Sequence, residues 1–225
     1  LFDYIEIQYL SVEKVKQLIE IIDNEEINIH NLLWSSICRR LLIDPYINNE
    51  MKNPRVKNVD IQCEQGIFKY LSEINNVSNI YSSKIIGVKS SQINDGQIEN
   101  LFDHSKSTYF RVRNDDGNGY IIFDFQQQKV NINKYYVSVT TENGTRNGRP
   151  KTWRIEGSND EQKWEEIDSK ENDTSLNDYG KSNTFKCKNI NNQFYQFIRF
   201  KPIKDHDGTN YLLLSEIEFY GSIKK

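Results

Sequence analysis

The spacing of apolar residues changes once along this chain. In the first stretch Val12, Val15, Leu18, Ile19 and Ile22 recur at helical intervals and predict one amphipathic helix. Ser11 stands where it can cap that helix, and Asp23-Asn24 ends it. A second helical stretch begins near Asn28 or Asn31, carries Leu32, Leu33, Ser36, Ile37, Arg40 and Leu41, and stops at Asp44-Pro45. Arg39 and Arg40 fall near its last turn, where positive charge suits the helix dipole. Residues 46–60 are polar, contain a proline and show little periodicity, and read as a linker. Gly66–Leu71 is a short apolar run that predicts one or two helical turns.

From about residue 84 the period becomes two. Strands are predicted over 84–90, 119–125, 134–141, 152–157, 163–168, 183–187, 194–201 and 211–220. Phe197 and Arg199 alternate with Ile198 and Phe200, which suits a strand with one wet face. About eight short strands separated by Gly, Asn and Asp turns indicate an all-β sandwich or barrel. The expected organisation is a helical segment over 1–47, a linker with a short helix over 48–75, and a β-sandwich over 76–223.

Composition narrows the function. Only 36% of residues are hydrophobic, but 13 Tyr, 11 Phe and 3 Trp supply bulky core material at roughly 150–250 Å² buried per ring. A net charge of -3 gives no general attraction to nucleic acid or to anionic membranes. No apolar run approaches the ~20 residues a membrane span needs. Cys38, Cys63 and Cys187 are odd in number and far apart, which favours a reducing compartment over a disulfide framework. Glycosylation-type tripeptides at Asn76, Asn143 and Asn172 are what so Asn-rich a chain gives by chance. The chain begins at Leu1, and the expectation is that it continues a longer protein.

No chemistry for catalysis emerges. His30, His104 and His206 lack Cys or Glu neighbours at zinc spacing. There is no nucleophile elbow, phosphate-binding loop or dinucleotide fingerprint. The expected role is binding, not catalysis.

Several local patterns resemble the discoidin family, the coagulation factor 5/8 type C domain. Asn100-Leu101-Phe102-Asp103 followed by Ser107-Thr108-Tyr109-Phe110 resembles its opening acidic turn and aromatic residue. Lys151-Thr152-Trp153-Arg154-Ile155-Glu156-Gly157-Ser158-Asn159-Asp160, then Trp164, resembles its two tryptophan-bearing strands and the turn between them. Phe197–Phe200 and Ser215–Gly221 resemble its closing strands. The resemblance implies a mainly-β, galactose-binding-like jelly-roll sandwich, here preceded by a short α-helical segment. The N-terminal helices and Gly66–Leu71 also resemble intracellular proteins in which this sandwich follows a BTB domain and a BACK-like helical region. That implies a cytoplasmic, cytoskeleton-associated adaptor or scaffold, oligomerising through a domain upstream of Leu1.

Each candidate residue has a plain structural alternative. Trp153 and Trp164 could be sugar platforms, but their strand positions favour the core. In the loop 142–151, Arg146 and Arg149 could grip a carboxylate or phosphate bidentately, or simply flank a solvated turn. Asp205, His206, Asp207 and Asn210 offer hydrogen bonds to a sugar or peptide, although turn chemistry alone explains Asp207-Gly208-Thr209-Asn210. Tyr109, Tyr179 and Tyr211 are the exposed aromatics a glycan site would use. By resemblance to sugar-binding relatives, Asp103, Thr108 and Glu216, together with backbone carbonyls, would hold a structural calcium ion. Ser105 stands where those relatives have a second acid, and without metal Asp103 would anchor the turn through backbone amides. No other cofactor is implied. The leading expectation is a protein partner bound through the sandwich loops, and the alternative is a galactose-type glycan. Lipid binding ranks last, because the predicted loop 91–100 offers only Ile93 and Ile98.

Overall fold

The structure is a computed structural model that describes residues 11–24, 37, 61–142, 147–189 and 192–224. The chain divides at Asp60/Ile61 into two compact units. In the first, helix α1 (Val12–Asn24) buries Val15 and Leu18. Ser11 Oγ accepts the Lys14 amide at 3.3 Å and its carbonyl accepts Val15 N–H, the cap the sequence implies. Of the predicted second helix only Ile37 is described, and it is helical and buried. Residues 46–60 lie outside the described residues.

The second unit is a sandwich of antiparallel sheets. Its elements run β1 (Ile61–Cys63), α2 (Ile67–Asn75), β2 (Gly87–Ser90), β3 (Ile93–Gly96), β4 (Phe110–Arg113), β5 (Ile121–Asp124), β6 (Lys129–Ser138), β7 (Pro150–Ser158), β8 (Glu165–Lys170), β9 (Ser182–Lys186), β10 (Phe197–Asp205), β11 (Tyr211–Leu214) and β12 (Glu216–Lys224). Five strands order as β2-β5-β10-β7-β8, four as β1-β12-β6-β9, and a small third sheet as β11-β4-β3.

All eight predicted strand regions are found, and the last divides at Ser215 into β11 and β12. Three strands escape the periodicity. β1 and β4 are only three and four residues long, and β3 (Ile-Asn-Asp-Gly) carries one apolar residue, exposed at 50%. The expected loop 91–100 is therefore mostly strand and 3-10 turn. The expected linker also ends sooner than residue 75. β1 pairs with β12, and α2 sends Ile67, Phe68 and Leu71 into the core. Phe68 meets Phe102, Phe123, Phe125 and Phe219 at 5.2–5.8 Å.

A carboxylate fixes that helix. Glu218 of β12 accepts the Phe68 and Lys69 amides at 2.9 and 3.0 Å, satisfying donors at the α2 N-terminus that have no partner within the helix. Gly66 permits the approach: at φ +116°, a Cβ there would sit 2.4 Å from Glu218 Oε2. Burial pushes the Glu218 carboxyl up to about 7 against the pull of these donors.

The sheets enclose Trp153, Tyr135, Phe123, Phe200 and Phe219, all fully buried. Trp153 stacks on Phe200 at 5.9 Å and meets Phe185 edge-on at 5.2 Å. Its indole N–H donates to Tyr135 Oη (2.9 Å), which donates to Asp168 (2.7 Å), itself 2.6 Å from Lys170 Nζ. Trp164 departs from expectation. It is half-buried outside the sandwich, under the Arg199 guanidinium at 3.9 Å. Arg199 points away from the core because Ile198 and Phe200 point into it, and it pairs with Glu156 at 2.6 Å.

Candidate functional site

The loops that follow β4, β8 and β10 and precede β7 meet at one end of the sandwich. Asp205 organises the β10–β11 loop. Its carboxylate accepts Asp207 N–H (2.7 Å), Thr209 N–H (3.0 Å) and Tyr211 N–H (3.3 Å), so it is a turn anchor. Asn210 is exposed in the left-handed region at φ 57°, and its carbonyl accepts the Asn114 amide at 2.7 Å. That bond ties the loop after β4 to the loop after β10. His206 N–H donates to the Arg149 carbonyl at 2.9 Å, tying in the segment before β7.

Arg149 is committed to this framework. Its guanidinium grips Asp207 through Nη2 and Nε, and Nη1 donates to the Asn177 carbonyl at 2.7 Å. Burial pushes the Asp207 carboxyl up, but the Arg149 guanidinium and the Gly148 and Arg149 amides outweigh it and hold it below its ordinary value. Arg149 also lies 4.8 Å over the Tyr179 ring. Gly148, at φ +120°, lets the backbone pass Tyr211, whose Cβ would meet an added Cβ at 2.8 Å. Arg146, the other predicted arginine, lies outside the described residues.

Sequence reasoning missed Arg111 and Arg113. Both project from the same side of β4, since Phe110 and Val112 fill the core between and beside them. Arg111 lies 5.0 Å over the Tyr211 ring and 3.8 Å from Asp95. Arg113 Nε is 3.0 Å from Asp115, close enough for attraction but without hydrogen-bond alignment. The signal was the alternation Phe-Arg-Val-Arg, too short to mark a strand. Of the three predicted aromatics, Tyr179 on the loop after β8 and Tyr211 at the start of β11 are half-buried. Tyr109 is a correction: it is buried, with its hydroxyl 2.7 Å from Asp95.

Unfilled hydrogen-bonding capacity gathers here. Five buried side-chain polar atoms lack a partner among the described residues, and three of them are Arg111 Nε, Arg113 Nε and His206 Nε2. Such groups cost about 1–3 kcal/mol each and in native proteins call for an explanation.

The calcium positions form a separate turn. Asp103 accepts Ser105 N–H at 2.9 Å and the Thr108 hydroxyl at 2.7 Å. Glu216 lies 2.8 Å from His104 Nδ1. Asp103 and Thr108 converge, but every carboxylate oxygen that the structure engages there already has a protein donor. With Ser105 in place of an acid, two carboxylates are left, and that set fits poorly to a hard cation, which takes six or more oxygens and prefers several carboxylates. Among the described residues no group of three His, Cys, Asp or Glu could hold a metal ion. Cys63 and Cys187 are buried free thiols, both pushed up to about 12, chiefly by burial. No described helix is long and apolar enough to cross a membrane.

Among solved structures, CBM32-3 from a family 31 glycoside hydrolase of Clostridium perfringens is 21% identical, with a TM-score of 0.48 over 63% of this chain and 94% of its own. The family 32 CBM of C. perfringens NanJ, in complex with galactose, is 11% identical, with a TM-score of 0.46 over 64% and 98%. No curated protein matches the chain. The F5/8 type C domain model matches residues 86–217, more than half of the sequence. The chain therefore belongs to the F5/8 type C domain family, whose domains are binding modules and not catalysts.

Proposed function

We propose that the sandwich is a carbohydrate-binding module whose ligand face comprises residues 111–116, 147–149, 177–179 and 205–211. The observation that carries this reading is the pairing of charge beside aromatic rings. Arg111, Arg113 and Arg149 each have a carboxylate neighbour in Asp95, Asp115 and Asp207, and Tyr179 and Tyr211 lie under two of the guanidiniums. Asp116, Asp178 and Asp205 leave this face with more carboxylates than cations, so it has no positive potential to draw an anion. It offers donors and acceptors together, which suits hydroxyl groups that both give and take hydrogen bonds. Tyr179 and Tyr211 add apolar ring surface for the C–H face of a sugar. A few placed polar groups beside aromatic surface is the usual composition of a small-ligand site.

The same carboxylate excess weighs against an acidic protein segment as the partner. The ligand class tested first is a galactose-type glycan. A glycan array followed by calorimetric titration checks the reading. Millimolar or tighter binding is expected, weakened at least about tenfold by Tyr211→Ala, the equivalent of about 1.4 kcal/mol. Alanine at Asn210 or Arg146 is expected to weaken it less. An array without hits, with a protein captured through the same loops, would replace the glycan by a protein partner.

A further inference from the structure

We infer that His104 does the work the family resemblance assigns to calcium, closing the 103–108 turn onto β12 so that this sandwich needs no metal. A metal ion at such a turn ties a loop to a strand by drawing their oxygens to one point. Here the oxygens are drawn to donors supplied by the chain. Asp103 Oδ1 takes the Ser105 amide and Oδ2 the Thr108 hydroxyl. The Ser105 carbonyl takes the Thr108 hydroxyl as well, at 3.1 Å. The Lys106 carbonyl takes three donors: Thr141 N–H at 2.8 Å and the Thr140 and Thr141 hydroxyls at 3.1 Å each. These contacts close the turn on itself and onto the end of β6.

The link to β12 remains, and His104 makes it. Its backbone sits in the left-handed region at φ 57°, a conformation His tolerates better than most non-glycine residues. The ring reaches Glu216 with Nδ1 2.8 Å from Oε1. Glu216 is 18% exposed and the His104 side chain 65%, so water competes for the contact from the imidazole side. The two carboxylates that would have shared one ion thus have separate donors, Asp103 in its own turn and Glu216 at the imidazole. This inference is independent of the glycan reading, since neither residue lies on the proposed ligand face.

The test is thermal unfolding and calcium titration of the full chain. Wild type is expected to melt within about 1 °C in calcium and in EGTA, because a ligand that does not bind the native state cannot stabilise it. His104→Ala is expected to lower Tm by about 2–4 °C in both buffers. His104→Asn, whose amide nitrogen sits near the place of Nδ1 and which suits the left-handed backbone, is expected to recover most of that loss. Losses from His104→Ala and Glu216→Ala should fall short of adding in the double variant, the mark of a direct contact. The inference is overturned if calcium raises the wild-type Tm and Asp103→Asn abolishes the rise. It is equally overturned if the two alanine losses simply add.

Discussion

Two tryptophans eleven residues apart, Trp153 within β7 and Trp164 just before β8, end up in opposite environments. Trp153 is fully buried and hands its N–H to Tyr135, which bonds Asp168 beside Lys170. Trp164 lies outside the sheet under Arg199, which Glu156 holds, and its indole N–H reaches only the Glu161 carbonyl at 3.0 Å. Both sites combine an aromatic ring, a cation and a carboxylate. Inside, the carboxylate is the acceptor of the buried Tyr135 hydroxyl, which no water can replace. Outside, water can replace any partner. Residue type therefore says little about role until burial is known, and the same distinction separates the anchoring residues of the loop face from those free to meet a ligand.

The largest effect expected from breaking this comparison is at Trp153. Trp153→Ala should cost about 3–5 kcal/mol in denaturant unfolding. Asp168→Ala should cost about 1–3 kcal/mol, since it strands the buried Tyr135 hydroxyl. Trp164→Ala should cost about 1 kcal/mol, the scale of an exposed cation–π contact with some lost packing. Equal losses at the two tryptophans would mean that they share one environment. In a chain with Trp34 changed to Phe, iodide should quench the Trp164 emission and spare Trp153.

Glu218 sharpens the comparison, because it is a buried carboxylate with backbone donors and no cation at hydrogen-bond distance. Its folded value, about 7, lies above the ordinary 4.5. Between those values the folded state holds a proton the unfolded chain has released, so stability falls as pH rises across that window and levels off above it. Glu218→Gln should flatten the decline, measured as urea midpoints from pH 4.5 to 7.5. The smallest effect concerns the thiols: Cys63 and Cys187 should resist alkylation until the sandwich unfolds, as read by peptide mapping.

Most of the sandwich was legible in the sequence because long strands with one buried face repeat at period two. Ile198 and Phe200 against Arg199 announce β10 without further help. Short strands are silent: Phe110–Arg113 gives only two inward residues, and β3 gives none. Trp164 was misread because its strand neighbours Glu165 and Glu166 carry no alternation to show which side faces inward. Tyr109 was misread because its partner, Asp95, lies in an unrecognised strand. On the loop face Asp205 and Arg149 were found, but their commitment to anchoring depends on contacts across long sequence distances. The bond from Arg149 to Asp207 spans 58 positions, and no local pattern encodes it.

The account rests on the loop face being where a sugar binds. An amide-resolved NMR titration of the full chain with galactose tests this most directly. Shifts should gather at residues 111–116, 147–149, 177–179 and 205–211 and vanish in Tyr211→Ala. Shifts centred on Trp164 and the outer face of the five-stranded sheet, or none at saturating sugar, would contradict it.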